Sequence, residues 1–179
     1  MLNARQHEAL LRIAREAVEA AAKDIPYAPT SEDPALQKLG AAFVTLRKRG
    51  QLRGCIGTVE AKEPLLQNVA NMARAAARED FRFEPIHLTE LPDLKIQISI
   101  LSPPSRVTDV ADIEVGVHGL IIEQGGRRGL LLPQVPVEWG WDRDEFLDQT
   151  CVKAGLPPGA WGRGADIYAF TAEVFGEED

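Results

Sequence analysis

The chain has 179 residues, 45% of them hydrophobic, which is enough to fold as one domain, or as two small lobes sharing a core, without disulfides or metals. Twenty basic against twenty-seven acidic residues leave a net charge of −7, which argues against nucleic acid as a partner because counterion release needs clustered Lys and Arg. No run reaches the roughly 18–20 apolar residues of a membrane span, the opening Met1–Gln6 shows no signal-peptide core, and two distant cysteines, Cys55 and Cys151, make a reducing cytoplasm the simplest location.

The first predicted element is a helix. Asn3 caps it with Gln6 three residues on, and Leu10, Ile13, Ala14, Ala17, Val18 and Ala21 share one face. Asp24-Ile25-Pro26 ends it, and residues 26–40 read as a loop. Ala42–Leu46 and about Leu52–Val59 read as two strands of a hairpin turned at Lys48–Gln51. Pro64 suits the first turn of a second helix, which carries Leu65, Val69, Met72, Ala73 and Ala76 inward and runs to about Glu79. Asp80–Pro85 breaks the period.

Lys95–Ile100 alternates apolar and polar residues, as a strand with one solvated face does, and Pro103-Pro104 ends it. Leu120–Glu123 and Leu130–Leu132 make a second hairpin across Gln124–Gly129. Asp142–Glu145 opens a helix whose inner face holds Phe146, Leu147, Thr150, Cys151 and Ala154, with Gly155 and Pro157-Pro158 as its stop. Asp166–Val174 is the last strand. Hairpins with a few helices, and no regular βαβ units, predict an α+β fold with a mainly antiparallel sheet and flanking helices. The seam between a larger and a smaller lobe is expected near Pro103-Pro104 to Gly116.

Leu52-Arg53-Gly54-Cys55-Ile56-Gly57-Thr58 is the most informative segment. Strand alternation would place Arg53 and Cys55 on one face, and a guanidinium beside a thiol favours the thiolate. Gly54 and Gly57 remove side chains where a ligand or another backbone approaches closely. The segment therefore reads either as a thiol in a small anion-attracting pocket or as a cysteine in a tightly packed hairpin. Cys151, on an apolar helix face, reads as a core residue. His118, between Gly116 and Gly119, is a ligand-orienting residue, a base for a thiol, or a plain loop residue. Asp80 and Arg82 straddle Phe81, either as a polar pair closing a pocket or as an ion pair tying down the chain reversal. Arg47, Lys48, Arg49 and Arg53 gather on one hairpin and Arg127-Arg128 on the other, where solvated tips guarding strand edges explain them. Gly125-Gly126 is a turn rather than a phosphate loop. His7 and His87 have no partner at metal-ligand spacing, and HExxH, CxxC and EF-hand patterns are missing, so no metal or other cofactor is expected.

Leu52–Thr58 resembles the LRGCIG signature of the AMMECR domain family, whose prokaryotic members are called protein A of the AmmeMemoRadiSam system. Asp80-Phe81-Arg82-Phe83-Glu84-Pro85 resembles that family's D-x-R-F-x-P segment, Ile98–Ser102 its I-S-V-L-S strand, and Gly116–Leu120 its G-x-H-G-L turn. Leu130–Val135 with Gln134, Phe146–Cys151, Lys153–Leu156 and Trp161 follow in the family's order. The resemblance implies one AMMECR domain over 1–179, with a smaller lobe within about 103–140. It also implies the company of a radical S-adenosylmethionine protein and a Memo-like protein, but no settled reaction. Two functions then compete. One is a binding or accessory protein holding an unknown small molecule or a partner around Arg53, Gly54, Cys55, Gly57, Asp80, Arg82, His118 and Gln134. The other is an enzyme with Cys55 as nucleophile or covalent carrier and His118 or Asp80 as base.

Overall fold

Helix α1 (Ala4–Ala22) starts on the capping box that the sequence announces. The Asn3 side chain accepts the Gln6 N–H at 2.9 Å, and the Gln6 side chain accepts the Asn3 N–H at 2.8 Å. Its apolar face is fully buried from Leu10 to Ala21. The expected loop contains one helical turn, α2 (Pro34–Gln37), capped by the Asp33 side chain. These elements come from a computed structural model that describes residues 1–178.

Strand β1 (Leu39–Lys48) and strand β2 (Gln51–Gly57) form the expected hairpin. Arg49 and Gly50 both take positive φ, 51° and 82°, the backbone of a two-residue turn that matches strand twist. β1 starts earlier than its apolar run because Leu39 and Gly40 pair with a short strand, β3 (Glu63–Pro64). Helix α3 (Leu65–Arg78) follows, then strand β4 (Leu94–Leu101), antiparallel to β1 on the side opposite β2. Leu10, Ile13 and Val18 of α1, Val69 and Ala73 of α3, Val44 and Leu46 of β1, and Ile96 and Ile98 of β4 share one buried cluster.

Residues 1–101 and the segment from Glu173 onward form the first of two units, and Ser102–Ala172 form the second. In the first unit, Glu177 ties that later segment to β4. Its N–H donates to Ile96 O at 2.9 Å, its carboxylate accepts the Ile96 N–H at 2.8 Å, and Arg15 Nε donates to its Oε2 at 3.0 Å.

The second unit has strands β5 (Ser105–Arg106), β6 (His118–Gln124), β7 (Arg127–Leu131) and β8 (Asp166–Gly176), the last continuing into the first unit from residue 173. β6 pairs antiparallel with both β7 and β8, and β5 pairs antiparallel with β8. The hairpin turn is tighter than the six-residue connection expected, because Gly125 and Gly126 adopt φ of 59° and 80° and close it in two residues. Helix α4 (Gln134–Trp139) has no signal in the sequence beyond its prolines. Pro136 lies in its first turn, where a missing N–H costs nothing. Helix α5 (Arg143–Lys153) begins at the predicted cap, Asp142, which accepts the Glu145 N–H at 2.8 Å. Leu120, Ile122, Phe146, Leu147, Cys151 and Ile167 make the second core. The unit's two ends clasp each other: Ser102 N–H donates to Thr171 O at 2.9 Å, and Thr171 N–H donates to Ser102 Oγ at 2.8 Å. The protein is thus α+β with antiparallel pairing and flanking helices.

Candidate functional site

The site is built on an irregular register. Thr45 faces Cys55 and Leu46 faces Gly54, but the next pair is Arg47 with Leu52, so Arg53 has no partner on β1. A residue added to one strand in this way breaks the alternation of faces. Arg53 and Cys55 accordingly meet different neighbours. Arg53 Nε and Nη2 donate to the two oxygens of Glu90 at 3.1 and 3.2 Å. Cys55 Sγ lies 3.3 Å from Thr45 Oγ1. Both glycines of the segment are required by the chain's own packing. A Cβ on Gly54 would stand 2.3 Å from the Ala76 carbonyl oxygen of α3, and one on Gly57 would stand 2.2 Å from Phe43 Cγ.

Asp80 stands two residues past the end of α3 and is 4% exposed. Its Oδ2 accepts the Cys55 N–H at 3.0 Å. Arg82 grips the same carboxylate with Nε on Oδ1 at 2.9 Å and Nη2 on Oδ2 at 2.7 Å, while its own N–H also reaches Oδ1 at 3.2 Å. The bond from Arg82 outweighs burial and, with the Cys55 N–H, holds Asp80 down to about 2. β2 is the outer strand of the β2-β1-β4 run, so Asp80 occupies a hydrogen-bonding position on a sheet edge. Asp80 and Arg82 therefore form an ion pair just past α3, with Arg82 still partly open to solvent.

Glu90 is a second anion, partly buried. Burial pushes its carboxyl up, but the His87 N–H together with Arg53 and Lys48 brings it down to about 2. Phe83 links the two ion pairs, with Arg82 Cζ 5.4 Å and Arg53 Cζ 6.0 Å from its ring centroid. Phe81 is 96% exposed. The first unit thus brings together Arg53, Gly54, Cys55, Gly57, Asp80 and Arg82. Thr45, Phe83 and Glu90 join them without having been expected. Only Phe83 had a signal, as part of the D-x-R-F-x-P segment.

His118 and Gln134 belong to the second unit. His118 opens β6, and its Nδ1 accepts the Glu114 N–H at 2.9 Å. That bond assigns the proton of the neutral ring to Nε2. Gln134 is the half-buried first residue of α4. Cys151 is fully buried, and burial pushes its thiol up. Both cysteines are free thiols. Among the described residues, no cluster of three or more His, Cys, Asp or Glu side chains is placed to hold a metal ion. No helix among them is long and apolar enough to cross a membrane.

The AMMECR1 family model matches residues 11–175. A protein of Methanothermobacter thermautotrophicus is 45% identical over 179 residues, covering 94% of this chain and 93% of its own length. Protein PH0010 of Pyrococcus horikoshii is 43% identical over 185 residues, covering 96% of this chain and 89% of its own. The crystal structure of that uncharacterised protein superposes with a TM-score of 0.89 at 42% identity, covering 94% of this chain and 90% of the other. A model match over most of the chain, together with relatives of this identity and coverage, assigns the chain to the AMMECR1 family.

Proposed function

We propose that the chain acts, as one domain over residues 1–179, as a binding or accessory protein in a reducing cytoplasm. Its site is the Leu52–Thr58 segment with Asp80 and Arg82, and His118 and Gln134 of the second unit make contacts of their own. It takes up a small molecule or a partner and serves a radical S-adenosylmethionine protein and a Memo-like protein. The observation that carries this reading is the state of the carboxylate bonded to the Cys55 main chain. Asp80 is held at about 2 by Arg82 and by the Cys55 N–H, so it is a poor proton acceptor at neutral pH. His118 spends its Nδ1 lone pair on the Glu114 N–H. Neither residue is thus set up as a base for Cys55.

The enzyme reading has one observation on its side. Cys55 is a free thiol that is only half-buried, the kind of group that covalent catalysis uses. Calorimetric titration of the purified chain with each purified partner separates the two. The binding reading expects association with at least one, weakened about tenfold or more by Arg82→Ala, which is about 1.4 kcal/mol, and little changed by Cys55→Ser. Association with neither partner overturns it. So does covalent modification of Cys55 by a small-molecule substrate in the presence of partner.

A further inference from the structure

The segment from α4 to α5 carries aromatic surface at the border of the second core: Trp141 is half-buried against that core, and Trp139 beside it is left open. Trp139 is 70% exposed and Val137 61% exposed. The indoles of Trp139 and Trp141 stack with centroids 6.1 Å apart and planes 14° from parallel. The turn between them is fixed. Gly140 takes a left-handed φ of 69°, its N–H points to Val137 O, and Trp141 N–H donates to Pro136 O at 2.9 Å. One residue later, Asp142 caps α5. The ring pair is therefore held between two helix ends, and binding it requires little further ordering. The loop at Gly116 borders it, because a Cβ there would lie 3.4 Å from a Val137 methyl.

Large side chains left this exposed in one place mark an interaction surface rather than a core defect. The surrounding charge says what kind of surface it meets. Glu138, Asp142, Asp144 and Glu145 are all exposed in the same stretch, against Arg143 alone. The face of an indole is itself electronegative and is the best of the aromatic faces for a cation. Carboxylates and ring faces thus attract the same group. We infer that this face docks a basic, apolar-flanked segment of a partner protein, with an arginine or lysine seated on the Trp139–Trp141 pair and neighbouring apolar side chains over Val137. The inference rests on the accessory reading for the existence of a partner, and it adds the chemistry by which that partner is recognised.

A peptide probe tests the surface without that partner. The whole chain is titrated with a short blocked peptide alternating leucine and arginine, and with its glutamate counterpart, while indole fluorescence is followed. The expected result is saturable binding of the arginine peptide only, weakened by added salt. Trp139→Ala should weaken it about tenfold or more, equivalent to about 1.4 kcal/mol, and Trp139→Phe should retain most of it. Unchanged thermal melting of both variants shows that the fold is intact. Equal binding of the glutamate peptide, binding insensitive to Trp139→Ala, or no binding each overturns the proposal. Self-association of the chain that Trp139→Ala abolishes also overturns it, since the occupant would then be a second copy. If the arginine peptide binds normally and neither purified partner does, the accessory reading falls and the surface stands.

Discussion

Cys55 gives its backbone N–H to the Asp80 carboxylate at 3.0 Å, while its sulfur turns to the Thr45 hydroxyl at 3.3 Å. The signature segment and the D-x-R-F-x-P segment are thus one piece of structure, joined through the main chain of the cysteine rather than through its thiol.

Replacing Asp80 tests that joint. Asp80→Ala leaves the Cys55 N–H and one face of Arg82 without partners. It should cost about 2–3 kcal/mol, seen as a fall in melting temperature. Asp80→Asn keeps an acceptor for the amide and should cost less. The pH dependence follows from the lowered carboxyl. Asp80 sits at about 2 in the folded chain, against about 3.9 when unfolded. Its contribution is therefore complete above about pH 4 and is lost as pH falls toward 2. Glu90 adds in the same window. Acid unfolding followed by circular dichroism should show a shallower slope in Asp80→Asn than in wild type.

Arg53 is expected to matter for stability first. It is nearly buried, bidentate on Glu90, and stacked near Phe83. Arg53→Ala should cost about 2 kcal/mol rather than the full penalty of an orphaned buried charge, because Lys48 and the His87 N–H still hold Glu90. Arg53→Lys should recover only part, since a single ammonium cannot span both oxygens. Denaturant unfolding of both variants measures the difference.

The two thiols should separate cleanly in alkylation. Cys55 is half-buried in an outer strand, whereas Cys151 is fully buried with its thiol pushed up. A time course with iodoacetamide, read by peptide mass, should label Cys55 at least about tenfold faster, as thiolate availability and access dictate. Equal rates would remove Cys55 from consideration as a reactive group.

Glycine substitutions should rank by what a Cβ meets. At Gly54 it meets the Ala76 carbonyl oxygen at 2.3 Å, a backbone atom that cannot step aside. Gly54→Ala should cost about 3 kcal/mol or more, at the upper end of overpacking. At Gly126 the space is empty and only the positive φ resists. Gly126→Ala should cost about 1 kcal/mol. Comparable losses at the two positions would contradict the packing account of the signature.

Local patterns carried most of the fold. The Asn3–Gln6 box, the alternation over Lys95–Ile100 and the Asp142 cap each act within a few residues, and each is found where its chemistry puts it. The site was less legible because its decisive step is a register shift. Counting back from the Arg49-Gly50 turn puts Gly54 opposite Thr45, whereas Cys55 stands there. No residue type marks the extra position at Arg53. Glu90 was missed for a different reason: it meets Arg53 across 37 positions of chain, and nothing local connects them. Helix α4 was hidden by prolines that usually break a helix but are harmless in its first turn.

The clasp between Ser102 and Thr171 has a temporal meaning. The second unit leaves and rejoins the chain at nearly one point, so it is an insertion within the first. Arg15 and the β4 backbone receive Glu177 only after every residue of the inserted unit has been synthesised. During translation α1, α3, β1 and β4 all emerge before the inserted unit, but the Glu177 bonds to β4 can be made only after it. The unit that begins first is the one that finishes last.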